Sequence, residues 1–191
     1  MRVFALSLSF LFLLACGDDA AEGTDLGLAD QGAADAGDAG TADAGTEDAG
    51  VLRGEALFQS ERPLVVAHRG GRRLAPEHTL FGYQVGLDAG ADVLEIDVAQ
   101  TSDGAIVCIH DLSVDRTTDG TGDIRELTLA EAQALDAAFD FSMDGGETYP
   151  QRGTGIVIPT LRAVFEAFPD ETYVIEIKQS EPSMVDDFVA L

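Results

Sequence analysis

Two of the three histidines in the chain, His68 and His110, each directly follow a short apolar run, residues 64–67 and 105–109. A side chain at the end of a strand projects into the cleft that the sheet opens onto, so two imidazoles placed in this way can face one another across a site. Histidine is the side chain best able to give and take protons near neutral pH. The pattern therefore predicts an acid–base pair.

Acidic residues occur on two further strand-like runs. Glu95 and Asp97 are two residues apart within residues 92–98 and therefore project from one face of a strand. Two carboxylates on one face repel each other, and a hard cation relieves that repulsion. Glu176 and Lys178 repeat the spacing with an acid and a base. These residues predict a metal-assisted site that is served by the two histidines.

Each of these residues also has a structural interpretation. A strand-end histidine can simply bond to a carbonyl group, and Glu176 with Lys178 could form an ion pair that needs no ligand. Glu95 and Asp97 could face solvent, but the apolar residues around them indicate burial on both faces of the strand; they are Val93, Leu94, Ile96 and Val98. Because buried acids need a partner, the metal interpretation is favoured for these two.

Strand-like and helix-like segments alternate along the chain and must position these residues. Helices are predicted from Pro76 to a stop at Gly90, at about 128–137 and 160–168, and from 182 onward; strands are predicted at 64–67, 92–98, 105–110 and 172–178. This order is typical of an α/β fold with a mostly parallel sheet. In such sheets ligands lie at the carboxyl ends of the strands, where the candidate residues fall.

The first 15 residues have the features of a signal peptide. Arg2 precedes an apolar stretch from Val3 to Ala15, which is too short for a permanent membrane span. The sequence around Cys16 resembles the bacterial lipobox, whose cysteine becomes lipid-modified after cleavage. We therefore expect a lipoprotein that is anchored to a membrane of the bacterial cell envelope through Cys16, on the periplasmic or outer-membrane side. The alternative is an ordinary signal peptide with a chance cysteine.

Residues 16–55 are predicted to form an acidic tether. From position 17 to position 50 there are ten acids and no Lys or Arg, and the triplet Asp-Ala-Gly recurs four times. Such a segment has few large side chains to bury and too much like charge to collapse. A spacer is favoured over an acidic recognition tail. The catalytic domain is then expected at 62–191.

The formal net charge is −24, and residues 51–191 alone hold 25 acids against 10 bases. This balance argues against nucleic acid as a partner, because little in the chain could neutralise a phosphate backbone. Any site for an anionic ligand must therefore be local.

The motifs, taken in order, resemble those of the glycerophosphodiester phosphodiesterase family. They match the family's order and approximate spacing between about residues 64 and 180, and the set is specific although no single tripeptide is. The matching pieces are His68-Arg69-Gly70, Ala75-Pro76-Glu77-His78-Thr79, Glu95-Ile96-Asp97, His110-Asp111, Asp115-Arg116-Thr117-Thr118 with Gly120 and Gly122, Ile158-Pro159-Thr160-Leu161, and Glu176-Ile177-Lys178.

The resemblance implies a TIM (β/α)8 barrel of the phospholipase C-like phosphodiesterase type, and metal-dependent hydrolysis of glycerophosphodiesters to glycerol 3-phosphate and an alcohol. The resemblance also implies a role for each matching residue. Glu95, Asp97 and Glu176 would bind a Ca²⁺ or Mg²⁺ ion, and His68 and His110 would act as the acid and the base. Arg69 and Lys178 would contact the phosphate.

Two departures from the family pattern leave alternatives open. The family usually has Asn where this chain has His78, and residues 62–191 are about half of the ~250 residues that a closed eight-stranded barrel needs. The domain is therefore expected to hold the first four or so βα units of the barrel. The alternatives are a phospholipase D-like relative that acts on intact lysophospholipid or sphingolipid, and a tethered binding module or inactive half-barrel.

Overall fold

The structure is a computed structural model that describes residues 53–191. The predicted signal peptide, the predicted lipidation site Cys16 and nearly all of the predicted tether lie outside these residues. Within residues 53–191, no helix is both long enough and apolar enough to cross a lipid bilayer.

Four strands and five α-helices form the described part of the chain. The strands are β1 (Val66–Ala67), β2 (Val93–Gln100), β3 (Ile106–Cys108) and β4 (Tyr173–Ile177). The helices are α1 (Glu55–Phe58), α2 (Leu80–Asp88), α3 (Leu129–Ala132), α4 (Leu161–Ala167) and α5 (Val185–Ala190). Short 3₁₀ turns lie at His68–Gly70 and Ile124–Glu126. The α/β class predicted from the sequence is confirmed.

The folded region begins before the predicted boundary at residue 62. Leu57 of α1 is buried, and Arg53 forms a two-pronged ion pair with Glu171, with the shorter contact at 2.5 Å. The last residues of the predicted tether therefore pack against the domain.

Strand β2 is the centre of the sheet and is parallel to both β1 and β4. Leu94 pairs with Ala67 on one side and with Tyr173 on the other, so β1 and β4 lie on opposite edges of β2. The prediction of a mostly parallel sheet is confirmed for these three strands.

Strand β3 is the one described strand of the sheet that runs antiparallel to β2. The segment between the two strands is too short for the crossover that a parallel pair requires, and it closes as a tight turn in which Gly104 has a φ of 87°. The backbone N–H of Ile109 donates to the carbonyl of Asp97 at 3.0 Å. The hairpin therefore brings the next residue, His110, back to the middle of β2.

One face of the sheet supplies the main apolar core. Leu94, Ile96 and Val98 of β2 are fully buried, and they pack in one cluster with buried residues of α2 and α4. Leu161 and Val164 are the buried residues of α4, whose N-cap Thr160 accepts a hydrogen bond from the N–H of Ala163. The helix predicted at 160–168 is therefore confirmed.

Three helices differ from their predicted limits, and one of them is α5, which begins at Val185 instead of residue 182. Helix α2 begins at Leu80 rather than at Pro76, because Thr79 is its N-cap and accepts a hydrogen bond from the N–H of Gly82. Helix α3 has the predicted capping box between Thr128 and Glu131, but it ends at Ala132 instead of about residue 137. Glu77 consequently precedes helix α2 and does not belong to its first turn.

Candidate active site

Three carboxylates lie together on the face of the sheet opposite the main core. Asp97 is the register partner of Glu176 in the parallel ladder, and Glu95 projects from the same face of β2. One oxygen from each carboxylate lies within 4.8 Å of the others. The structure thus brings together the three residues predicted to hold a metal.

Asp97 is the most buried member, with 1% of its side chain exposed. Its Oδ2 accepts a hydrogen bond from Nε2 of His78 at 2.9 Å, and Nζ of Lys178 lies 3.1 Å from Oδ1. Burial alone would raise the pKa of Asp97, but the hydrogen bond from His78 and the charge of Lys178 outweigh it and hold the pKa below its usual value. Asp97 is therefore ionised near neutral pH.

Glu95 behaves differently, because burial raises its pKa above the usual value and the charge of Asp97 adds to the effect. The backbone N–H of Arg69 donates to its Oε2 at 2.7 Å and partly opposes the rise. An additional positive charge nearby, such as a bound cation, would therefore stabilise the ionised form of Glu95.

The donor set fits a hard divalent cation. All three candidate ligands are carboxylates, which suit Ca²⁺ and Mg²⁺. Oδ1 of Asp97 is buried and makes no hydrogen bond of acceptable geometry within the described residues, although Lys178 is near. This oxygen is therefore oriented by its surroundings and still has capacity to bind a cation.

Lys178 is the single lysine in the chain, and it lies at this site. Its Nζ is 2.8 Å from Oε1 of Glu176, so the ion pair considered from the sequence is formed. Burial opposes the charge of Lys178, but the nearby carboxylates of Glu176 and Asp97 prevail and raise its pKa. The ammonium of Lys178 is consequently held beside the acidic group, which consists of Glu95, Asp97 and Glu176. In this position it could contact an anionic ligand.

Arg69 lies beside the same carboxylates in the turn after β1. Its φ is 53°, and its Nε is 3.6 Å from Oδ2 of Asp97. The neighbouring Gly70 also has a positive φ, and a Cβ there would come within 2.7 Å of Cδ1 of Tyr83. The turn can therefore pack closely against α2, and this packing directs the N–H of Arg69 at Glu95.

His68 directly follows Ala67, whose register partner is Leu94, so His68 adjoins the level of Glu95. Partial burial and the charges of Arg69 and Arg72 lower the pKa of His68. His110 reaches the same region through the β2–β3 hairpin. Its Nδ1 is 2.6 Å from Oδ1 of Asp111, which leaves Nε2 as the second nitrogen for proton exchange.

Three further ion pairs at the site were not predicted from the sequence. Arg116 makes two hydrogen bonds to Glu77, at 3.0 and 2.6 Å, and a third to Asp111 at 2.5 Å. Glu77 also lies 3.4 Å from Nη1 of Arg69. These contacts link the His110 side of the site to the acidic group. Through these contacts Glu77 belongs to the site, and it precedes helix α2 instead of serving as an anion in its first turn.

Cys108 is buried in β3 and free of any disulfide among the described residues. Burial raises the pKa of its thiol to about 12, so the group stays protonated at neutral pH. Cys108 therefore packs as a small apolar residue.

Comparison with known proteins places this arrangement in a family. Residues 68–190 match the model of the glycerophosphoryl diester phosphodiesterase family. A glycerophosphodiester phosphodiesterase from Caldanaerobacter subterraneus subsp. tengcongensis is 41% identical over 117 residues, which are 61% of this chain and 45% of that protein. The chain belongs to the glycerophosphoryl diester phosphodiesterase family.

Solved structures agree with the sequence match. The glycerophosphoryl diester phosphodiesterase domain of a Mycobacterium tuberculosis protein superposes with a TM-score of 0.62 at 32% identity, over 68% of this chain and 48% of that one. A phosphodiesterase from Oleispira antarctica, solved with the product sn-glycerol 3-phosphate, gives a TM-score of 0.51 at 39% identity, over 61% of this chain and 44% of that one. This chain therefore spans about half the length of the relatives that it matches.

Proposed function

We propose that the chain carries the acid, base and metal-binding residues of a phosphodiesterase that hydrolyses glycerophosphodiesters to glycerol 3-phosphate and an alcohol. The observation that carries the proposal is the group of Glu95, Asp97 and Glu176 with Lys178 fixed against it. Family membership and the glycerol 3-phosphate bound to the Oleispira antarctica relative support the substrate class.

The metal, Ca²⁺ or Mg²⁺, would be held by the three carboxylates and would supply positive charge to a phosphoryl oxygen. A phosphodiester is anionic, so an incoming oxygen meets negative charge that cationic side chains can offset. Lys178 is fixed beside two of the carboxylates, and Arg69 lies in the turn above Glu95. We propose that both side chains bind the phosphate.

The two histidines would divide the proton transfers between them. His68 has a lowered pKa and is therefore mainly unprotonated near neutral pH, which suits a base that takes a proton at a ring nitrogen. His110 would then give a proton from Nε2 to the departing alkoxide, with Asp111 fixing the ring through Nδ1.

The fold supports this scheme because the three parallel strands can form one sector of the TIM barrel expected for the family, with β3 as an antiparallel addition. The parallel strands β1, β2 and β4, with α2 and α4 packed on the outer face, have the arrangement of such a sector. The carboxylates would then project from the inner face, with Glu176 near the carboxyl end of β4 and Glu95 and Asp97 in the middle of β2.

The test is release of glycerol 3-phosphate from glycerophosphocholine by the full chain. We expect a chelator to abolish the release, and His68→Ala and His110→Ala to lower its rate by about 100-fold or more. Glu166→Gln, on the exposed side of α4, is the matched control. Turnover that survives either histidine change would contradict the assigned roles, and activity on lysophospholipid in place of the diester would favour the phospholipase D-like alternative.

We also propose export as a lipoprotein that is held at the bacterial envelope through Cys16, with residues 17–50 as a spacer. Labelling of expressing cells with a radioactive fatty acid would test it. Cys16→Ser should abolish the label and release the protein from the membrane fraction, and unchanged labelling would rule Cys16 out.

A further inference from the structure

His78 stands at the centre of a buried chain of hydrogen bonds that leads away from Asp97. Its Nε2 is 2.9 Å from Oδ2 of Asp97, and its Nδ1 is 2.9 Å from the hydroxyl of Tyr83. His78 is 3% exposed and Tyr83 is fully buried. The two contacts fix both nitrogens of the ring, so the imidazole has a single orientation in the structure.

The proton on the Asp97 side can be assigned from chemistry. An ionised carboxylate only accepts hydrogen bonds, so Nε2 of His78 must carry a proton and donate it. The hydroxyl of Tyr83 can donate to Nδ1 or accept from it, and it therefore supports the ring in either case. The contact with Asp97 does not depend on which of the two applies.

The two oxygens of Asp97 are consequently divided between two sides of the site. Oδ2 is held by His78, whereas Oδ1 lies toward Lys178 and, through Lys178, toward Glu176. Rotation of the carboxylate would break the bond to His78. The imidazole thus determines which oxygen of Asp97 points into the acidic group.

We propose that His78 is a positioning residue for Asp97: by holding Oδ2 it keeps Oδ1 aimed at the space that Asp97 shares with Glu95 and Glu176, where a divalent cation would bind. This inference rests on the proposed function, since it needs the metal site. Partners that orient metal ligands in this way typically change metal affinity by about 10- to 100-fold when they are removed.

Two substitutions at position 78 can separate the effect of the contact with Asp97 from the effect of the backbone conformation. The φ of His78 is 54°, a left-handed conformation that Asn tolerates better than Gln does. Asn places its amide nitrogen about where Nδ1 of His78 lies, so it reaches Tyr83 but falls short of Asp97. Gln is longer by one methylene and reaches about to the place of Nε2. Backbone strain therefore favours Asn, while contact with Asp97 favours Gln.

The experiment measures the dissociation constant of Mg²⁺ or Ca²⁺ for the full chain by titration calorimetry. We expect His78→Asn to weaken cation binding by about tenfold or more, and His78→Gln to stay within about threefold of the unsubstituted protein. Glu166→Gln serves as the control for surface charge. The opposite order, or unchanged affinity in His78→Asn, would overturn the positioning role.

A second measurement detects directly which nitrogen of the His78 ring carries a proton. Nitrogen-15 NMR of the imidazole should show a proton on Nε2 of His78, and a ring with the proton on Nδ1 alone would overturn the inference. No cation binding by the unsubstituted chain would overturn the metal site and this role together. If the expected order of affinities held but no diester were hydrolysed, the positioning role would stand and the proposed reaction would be rejected.

Discussion

Asp97 and Glu176 are direct register partners on adjacent parallel strands, although they are far apart in the sequence. Their carboxylates share the ammonium of Lys178, at 3.1 and 2.8 Å. Because successive residues of a strand alternate between faces, a shift of one residue in this register would move Glu176 and Lys178 to the apolar side of the sheet. The pairing of β2 with β4 therefore determines whether the site exists.

Lys178→Met should destabilise the protein in the absence of metal. The change leaves Asp97 buried with one counter-charge fewer, and we expect a loss of about 1–3 kcal/mol in the free energy of unfolding. Added Ca²⁺ should restore more stability to this variant than to the unsubstituted protein, because the cation replaces the missing charge. Chemical unfolding with and without Ca²⁺ measures both effects. Arg162→Met, on the exposed side of α4, is the control, and equal stability of the Lys178 variant and this control without metal would contradict the prediction.

Asp111→Asn should lower the rate of diester hydrolysis by tenfold or more with little change in KM. The carboxylate of Asp111 holds Nδ1 of His110 and is itself held by Arg116, so its loss frees the ring to adopt the wrong tautomer or orientation. Steady-state kinetics with glycerophosphocholine tests this. Asp186→Asn, in α5, is the matched control. A rise in KM at constant kcat would instead indicate that Asp111 serves substrate binding.

Arg72→Gln should raise the pKa of His68. Partial burial lowers this pKa first, and the positive charges of Arg69 and Arg72 lower it further, so removal of one charge must shift it upward toward the ordinary value of 6.5. The C2–H resonance of His68 followed by NMR across the titration reports the change. The shift should shrink at high salt, because Arg72 is exposed and its charge is screened. An unchanged pKa of His68 at low salt would show that the charge of Arg72 does not contribute to it.

Glu77→Gln should change how stability depends on acid. Burial opposes the charge of Glu77, but the hydrogen bonds from Arg116 and the charge of Arg69 outweigh it and hold its pKa below the ordinary 4.5. A lowered carboxyl pKa stabilises the fold fully above the ordinary value, and this contribution is lost as the pH falls through the lower, folded value. Unfolding measured at several pH values should show this loss in the unsubstituted protein. A similar loss in the Gln variant would assign it to another carboxyl.

The three acidic site residues could be predicted from the sequence because the two-residue repeat of a strand is visible within a short segment. Glu95 and Asp97 alternate with buried residues of one strand, and Glu176 with Lys178 repeats the same two-residue spacing. The start of α2 was misplaced because Pro76 is a favourable helix opener, whereas the hydroxyl of Thr79 captures the first free N–H groups. The apolar residues of β3 fit a parallel or an antiparallel strand equally well, and its direction is indicated instead by the short turn at residues 102–104.

The ion pair of Glu77 with Arg116 had no signal in periodicity, since it joins two irregular segments 39 residues apart. The contacts of His78 could not be read from the sequence either. They depend on a left-handed backbone at position 78 and on a tyrosine that is buried behind it. Such contacts arise from the packing of separate elements, which local patterns do not encode.

The short turn between β2 and β3 also bears on the order in which the site assembles during folding. The hairpin that delivers His110 closes a small loop, whereas Lys178 reaches Asp97 only after a long loop has closed, and long loops cost more entropy. We expect the amide of Ile109 to gain protection in pulsed hydrogen exchange before that of Lys178, which donates to the carbonyl of Val98. Glu95 and Asp97 would then lie side by side on β2 before the ammonium of Lys178 reaches them. Ca²⁺ present during refolding should therefore speed the final step, in which β4 docks.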